Sequence, residues 1–135
     1  MYQIPLLRRL IHLFLAACNY GNPLEVWKKR FSGKEAPMTV VDRKTGICCQ
    51  SSFAAHRFFG EIFFYGEYDI PRLEIKPGDI VVDIGANQGF YSLYAASKGA
   101  QVFAFEPSSR EFAVLQANLE RNRGRVSGSV TAEQC

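Results

Sequence analysis

The sequence lacks the marks of a disulfide-framed, metal-binding or membrane-spanning chain. It has four cysteines, two of them adjacent (Cys48 and Cys49) and the others, Cys18 and Cys135, far apart; no Cys-x-x-Cys pair or Cys/His zinc spacing occurs. They read as reduced thiols of a cytosolic protein that act as small apolar packing residues. No run approaches the ~18 consecutive apolar residues of a membrane span. Charge of one sign is also scarce: 16 Lys and Arg against 13 Asp and Glu leave +3, too little to argue for a nucleic-acid partner. There is no internal repeat. What is present is a 47% hydrophobic content over 135 residues, enough for a core and about one domain.

The charge is uneven. Residues 1–30 carry five basic side chains (Arg8, Arg9, Lys28, Lys29, Arg30) and one acid, Glu25, for +4, and the rest carry 11 basic and 12 acidic groups, for −1. Arg8 and Arg9 precede an apolar run ending Leu15-Ala16-Ala17-Cys18, which mimics a secretion or lipoprotein signal. The run spans only about nine residues and His12 interrupts it, so residues 1–18 read instead as a short amphipathic helix that stays attached. Asn22-Pro23-Leu24-Glu25 starts a helix, with Asn as N-cap and Pro at the first position, and Gly33 stops it. Lys28-Lys29-Arg30 reads as a solvated helix end rather than a phosphate site.

Thr39-Val40-Val41 and Ile47-Cys48-Cys49, joined through Gly46, predict a hairpin. Residues 53–68 hold Phe53, Phe58, Phe59, Phe63, Phe64, Tyr65 and Tyr68, which read as core packing in preference to a cofactor wall. His56 beside Arg57 has no partner in sequence that would make it a catalytic pair. After Lys76-Pro77-Gly78 the texture changes. Asp79 to Ile84 is a β-branched run expected to be a strand buried on both faces. Phe90 to Lys98 reads as a helix with Gly99 as its stop, and residues 101–105 as a second strand. Ser108 and Glu111 form a capping box opening a helix with Phe112, Leu115 and Leu119 on one face. Strand, helix, strand, helix argues for a parallel α/β sheet, here its first βαβα. From Arg123 no periodic face is seen, and an irregular tail is expected over 123–135.

The chemistry lies in Val81-Val82-Asp83-Ile84-Gly85-Ala86-Asn87-Gln88-Gly89 and, after the next strand, Glu106-Pro107. Neighbouring parallel strands end side by side, so Asp83 and Glu106 flank one crevice, and a carboxylate after the second strand suits a ribose diol. A dinucleotide fingerprint needs Gly where Asn87 and Phe90 stand, so it fails. An acid just before the glycine turn would also repel pyrophosphate. It suits a ligand with an amino group and a positive centre, which favours S-adenosyl-L-methionine (SAM) over NAD.

The stretch Asp83-Ile84-Gly85-Ala86-Asn87-Gln88-Gly89-Phe90-Tyr91-Ser92, with Phe103-Ala104-Phe105-Glu106-Pro107, closely resembles the FkbM family of SAM-dependent methyltransferases. Glu67-Tyr68-Asp69 and Lys76-Pro77-Gly78-Asp79 are similar too. The resemblance is strong over 60–122, weaker over 20–60 and absent from 123. It implies an incomplete Rossmann-like class I methyltransferase fold and O-methyl transfer to a sugar, polyketide or similar small acceptor. By the same resemblance Gly85, Ala86, Asn87 and Gly89 would underlie the methionine part and Asp83 would anchor its amino group. Glu106 would hold the ribose hydroxyls, with Pro107 and Ser108 bordering the adenine. The expected organisation is an N-terminal helical and hairpin region (1–70), a SAM-binding half-domain (71–122) and the tail. No residue fits a general base. The chain therefore reads as the N-terminal, truncated part of a cytoplasmic enzyme, inactive alone. The alternatives are a non-catalytic SAM- or nucleotide-binding module and an NAD-dependent oxidoreductase fragment.

Overall fold

A computed structural model of the chain describes residues 10, 14–15, 17–32 and 37–135. The helix expected over residues 1–18 falls mostly outside them, as does Gly33. In chain order the elements are α1 (Pro23–Phe31), β1 (Met38–Val41), β2 (Cys48–Ser51), α2 (His56–Phe63), β3 (Ile80–Ile84), α3 (Phe90–Ser97), β4 (Gln101–Phe105), α4 (Ser109–Arg121) and β5 (Ser129–Glu133).

β1 and β2 form the expected antiparallel hairpin, Val40 opposite Cys49. Asp42 shapes its turn, with Oδ2 accepting from the Thr45 amide at 2.7 Å and the Thr45 hydroxyl at 2.6 Å. Helix α1 starts where Asn22 and Pro23 place it, but the asparagine makes no cap bond. Its Oδ1 accepts from the Val41 amide at 3.1 Å and its Nδ2 donates to the Thr39 carbonyl at 2.8 Å, tying the helix to the hairpin. A side-chain amide that finds two backbone groups on a neighbouring strand outcompetes the single local cap.

The second sheet is parallel, in the order β3-β4-β5. Ile80 lies opposite Gln101 and Ile84 opposite Phe105, so β3, α3, β4 and α4 build the expected unit. Both helices cover one face. Ala95 and Ala96 of α3 pack on Val81 and Val102, and Leu115 of α4 packs on Ala104 and Ala132. The other face is open, which corrects the expectation that residues 79–84 are buried on both sides. Ile80 is 69% exposed, Val82 58% and Ile84 84%. A continuous β-branched run signals a parallel strand, but the sequence does not say whether the chain also supplies a second layer.

The irregular tail expected over 123–135 is corrected as well. Residues 129–133 pair parallel with β4 as a third strand, Val102 opposite Val130 and Ala104 opposite Ala132. The strand alternates small apolar residues inward with Ser129, Thr131 and Glu133 outward, a period-two pattern too short and too weakly apolar to stand out. Gly128 makes the entry possible: a Cβ there would sit 2.0 Å from the Ala100 carbonyl oxygen, while its amide donates to the Ala96 carbonyl at 2.8 Å. Backbone can approach that closely only without a side chain.

The hairpin region shares its core with helix α3 of the parallel unit. Phe59 of α2 meets Phe90 of α3 edge-on at 5.5 Å, and Phe63 meets Tyr94 likewise at 5.5 Å. On the outer edge of β2, Asn118 of α4 and Asn122, the residue just after it, replace a strand. Asn122 accepts from the Cys48 amide and donates to the Cys48 carbonyl, both at 2.8 Å. Asn118 treats Gln50 the same way, at 2.7 and 3.0 Å. Four residues of helix rise about 6 Å and two of strand about 6.7 Å, so the two amides match the strand repeat.

Candidate functional site

The site grows from the turn between β3 and α3. Its five amides are all used within the chain. Gly85 and Ala86 donate to the Phe105 carbonyl at 2.8 and 3.0 Å, and Gly89 to the Ala86 carbonyl at 2.8 Å. Asn87 donates to Glu106 Oε2 at 2.7 Å and Gln88 to Asn87 Oδ1 at 2.9 Å. Asn87 (φ +51°) and Gly89 (φ +81°) are left-handed, a conformation that glycine adopts freely and asparagine tolerates. A phosphate-binding turn needs free amides aimed at the ligand; here none of the five is free.

Asp83 lies at the end of β3, half-buried, and its Oδ2 accepts from the Ser92 hydroxyl at 2.5 Å. Burial pushes its carboxyl above the usual carboxylate value; the Ser92 hydroxyl and amide pull it back, and the nearby charge of Glu106 pushes it further up. Glu106 is buried beside the next strand end. Its Oε2 holds Asn87 and its Oε1 accepts from the Ser108 amide at 2.8 Å. Each carboxylate thus braces backbone, and each oxygen, with two lone pairs, keeps capacity for a further donor.

Ser108 caps α4 by accepting from the Glu111 amide at 3.4 Å. The reciprocal half of the box is not made: the Glu111 carboxylate accepts from Gln88 Nε2 at 2.7 Å. Gln88 also donates to the Ser52 hydroxyl and accepts from the Ser52 amide, each at 3.2 Å. This buried glutamine locks the turn to the loop after β2 and to α4. Sequence reasoning missed it, because one polar residue inside a glycine turn reads as exposed.

A cleft of about 510 Å³ opens beside the turn, on the side of β3 that has no strand partner among the described residues. That volume falls in the range of small-molecule sites. Asp83, Gly85, Ala86 and Asn87 line it, joined by Phe58 and Ile62 of α2 and by Tyr68 and Tyr91. A Cβ at Gly85 would meet nothing within 4 Å, so this part of the turn is open to a ligand. Gly89, Glu106, Pro107 and Ser108 are not on this wall. Gly89 is buried under Leu115, and the other three lie at the end of β4 and the start of α4. Asp83 is the one carboxylate among the lining residues, and no Lys, Arg or His stands with it. His56 faces the Phe53 carbonyl at 2.5 Å and is not part of the cleft. Among the described residues, no group of three or more His, Cys, Asp or Glu is placed to hold a metal ion.

No protein-family model matches the chain. Over 83 residues it is 42% identical to the 31-O-demethyl-FK506 methyltransferase FkbM of Streptomyces tacrolimicus, a match over 60% of this chain and 30% of that protein. It is also 41% identical over 87 residues to methyltransferase sdnD of Sordaria araneosa, covering 63% of this chain and 32% of sdnD. The hexuronic acid methyltransferase AglP of Haloferax volcanii matches at 39% over 64 residues, 45% of this chain and 26% of AglP. The chain thus spans about a third or less of the length of these curated relatives. Among solved structures, Pyrococcus horikoshii TYW2, in complex with MeSAdo, superposes with a TM-score of 0.54 at 25% identity, over 76% of this chain and 37% of that one. The Pyrococcus horikoshii protein PH0793 does so with a TM-score of 0.53 at 21% identity, over 83% and 46%. The fold is a partial Rossmann-like α/β fold, as the resemblance implies, built on the parallel sheet that the βαβα pattern predicts.

Among the described residues no helix is long and apolar enough to cross a membrane.

Proposed function

We propose that this chain provides the cofactor-binding half of a SAM-dependent methyltransferase. The observation that carries the reading is the composition of the cleft: a turn whose amides are all spent, beside a single carboxylate and no basic side chain. Such a site rejects a pyrophosphate and accepts a cation. SAM fits those donors, because it carries an ammonium and a sulfonium and no phosphate. When bound, it supplies an electrophilic methyl group.

Asp83, braced by Ser92, anchors the ammonium. Gly85, Ala86 and Asn87 form the floor under the methionine part, and Gly89 keeps the turn tight from beneath. Glu106 uses its remaining lone pairs for the ribose hydroxyls, next to Pro107 and Ser108 at the adenine edge. The acceptor is a hydroxyl of a sugar, polyketide or similar small molecule, in line with the substrates that the names of the FK506 and hexuronic acid relatives carry. The described residues provide neither an acceptor pocket nor a base to deprotonate a hydroxyl, so the chain alone binds the cofactor without turnover.

The test is calorimetric titration with SAM and with NAD. SAM binds more tightly; tighter NAD binding refutes the assignment.

A further inference from the structure

The aromatic residues of 53–68 do not all serve one role. Phe59 and Phe63 are core, whereas Phe58 and Tyr68 remain 37% and 46% exposed and line the cleft with Tyr91. Tyr68 and Tyr91 form a tilted pair, centroids 5.2 Å apart at 41°. Neighbouring contacts hold the pair. The Tyr94 hydroxyl donates to Asp69 Oδ1 at 2.6 Å and Lys98 Nζ donates to the same oxygen at 2.7 Å, fastening the residue after Tyr68 to α3. Phe58 already has a cation, the Arg57 guanidinium, 4.8 Å from its centroid, and Phe90, which also borders the cleft, is buried against Phe59, which leaves the two tyrosines as the rings available to a ligand. They share the cleft with Asp83 and with no basic side chain.

We infer that Tyr68 and Tyr91 form an aromatic wall that recognises the positive sulfonium centre of SAM, so that the site prefers SAM over its neutral product, S-adenosylhomocysteine. The inference rests on the function proposed above. Asp83 takes a compact ammonium, a strongly hydrated point charge that a carboxylate suits. A sulfonium is soft and carries no N–H or O–H to donate, so the π-faces of aromatic rings are its natural partner. The wall comes from two sources, α3 and the segment after α2. The N-terminal region thereby contributes to cofactor choice, a role outside the glycine turn.

The experiment titrates the full chain with SAM labelled with ¹³C in its S-methyl group, followed by NMR, and with unlabelled S-adenosylhomocysteine. A methyl against ring faces resonates upfield of its free position. The expected result is an upfield methyl signal in the wild type and in Tyr68→Phe and Tyr91→Phe, which keep the rings. In Tyr68→Leu and Tyr91→Leu the shift shrinks and SAM binding weakens about threefold to thirtyfold, with S-adenosylhomocysteine binding within twofold of wild type. If the adenine and ribose signals respond while the methyl stays at its free position, the wall is refuted and the cofactor assignment stands. Equal weakening of both ligands in the leucine variants refutes the wall too. If no resonance of SAM responds, the cofactor assignment itself fails.

Discussion

The Asp83 carboxylate has a structural partner in Ser92 and an open aspect toward the cleft, and one substitution separates the two roles. Burial raises its pKa above the ordinary value, so the folded chain binds this proton more tightly than the unfolded chain. The group therefore favours the fold below the unfolded value, and that contribution is lost as pH rises through the raised folded value. At neutral pH the ionised carboxylate is a burden on stability. Asp83→Asn keeps an oxygen for Ser92 and removes the charge. Its melting temperature at pH 7 is expected to equal or exceed that of the wild type, while SAM affinity falls about tenfold to a hundredfold, the worth of a charge-assisted bond. In the wild type, affinity also falls as pH is lowered through the raised Asp83 value, and the variant shows no such step. Thermal melts with calorimetry at several pH values read both. A destabilised variant that binds normally would mean that Asp83 serves only as a brace.

Among the elements, α4 does more than cross over between strands. Its Asn118 and its C-terminal cap residue Asn122 close the outer edge of β2, which would otherwise offer unpaired amides and carbonyls to another chain. Asn118 further donates to the Gln88 carbonyl at 2.9 Å, so the same side chain steadies the hairpin and the glycine turn. Asn118→Ala strips partners from three backbone groups, the Gln50 amide and carbonyl and the Gln88 carbonyl, and is expected to cost about 3 kcal/mol or more, at about 1–3 kcal/mol for each group left unsatisfied. Asn122→Ala strips the Cys48 amide and carbonyl and is expected to cost about 2 kcal/mol or more by the same reasoning. Denaturant melts give these values. The two variants differ in a second readout: Asn118→Ala also weakens cofactor binding through Gln88, whereas Asn122→Ala leaves it near wild type. Losses below about 0.5 kcal/mol would show that water replaces the asparagines at no cost.

At the scale of the whole molecule, the parallel sheet is half covered. Ile80, Val82, Ile84 and Phe103 face outward, and one edge of β3 has no partner among the described residues. An apolar face beside an open strand edge invites association. Sedimentation velocity of the 135-residue chain is expected to show concentration-dependent oligomers, reduced in the double variant Ile80→Lys, Phe103→Lys, whose positions lie outside the cleft. A monomer at high concentration would overturn this. The same openness governs activity. On the proposed reading the cofactor is held from one side with no aligned acceptor, and the alignment contribution to catalysis, ~7–11 kcal/mol in favourable cases, would be missing. Transfer of labelled methyl from SAM to sugar and polyketide alcohols is expected to be undetectable with this chain alone. Turnover that disappears in Asp83→Ala would show that the chain builds a complete site.

The local pattern was enough for β3, α3, β4 and α4, because β-branched runs, a capped helix start and glycine stops act over a few residues and agree with one another. The spacing from Asp83 to Glu106 placed the two carboxylates at adjacent strand ends, because a βαβ unit has one favoured hand and register. Other features were decided by tertiary structure. Residues 129–133 become a strand because β4 offers an edge and Gly128 lets backbone touch backbone, neither of which is visible in a five-residue window. Gln88, Asn118 and Asn122 look like exposed polar residues until the fold brings unpaired peptide groups against them. The aromatic side chains of 53–68 look alike in sequence, and only packing determines that Phe59 and Phe63 enter the core while Phe58 and Tyr68 line a cleft. Sequence fixes what forms through neighbouring residues; burial and long-range pairing depend on what else the folded chain brings close.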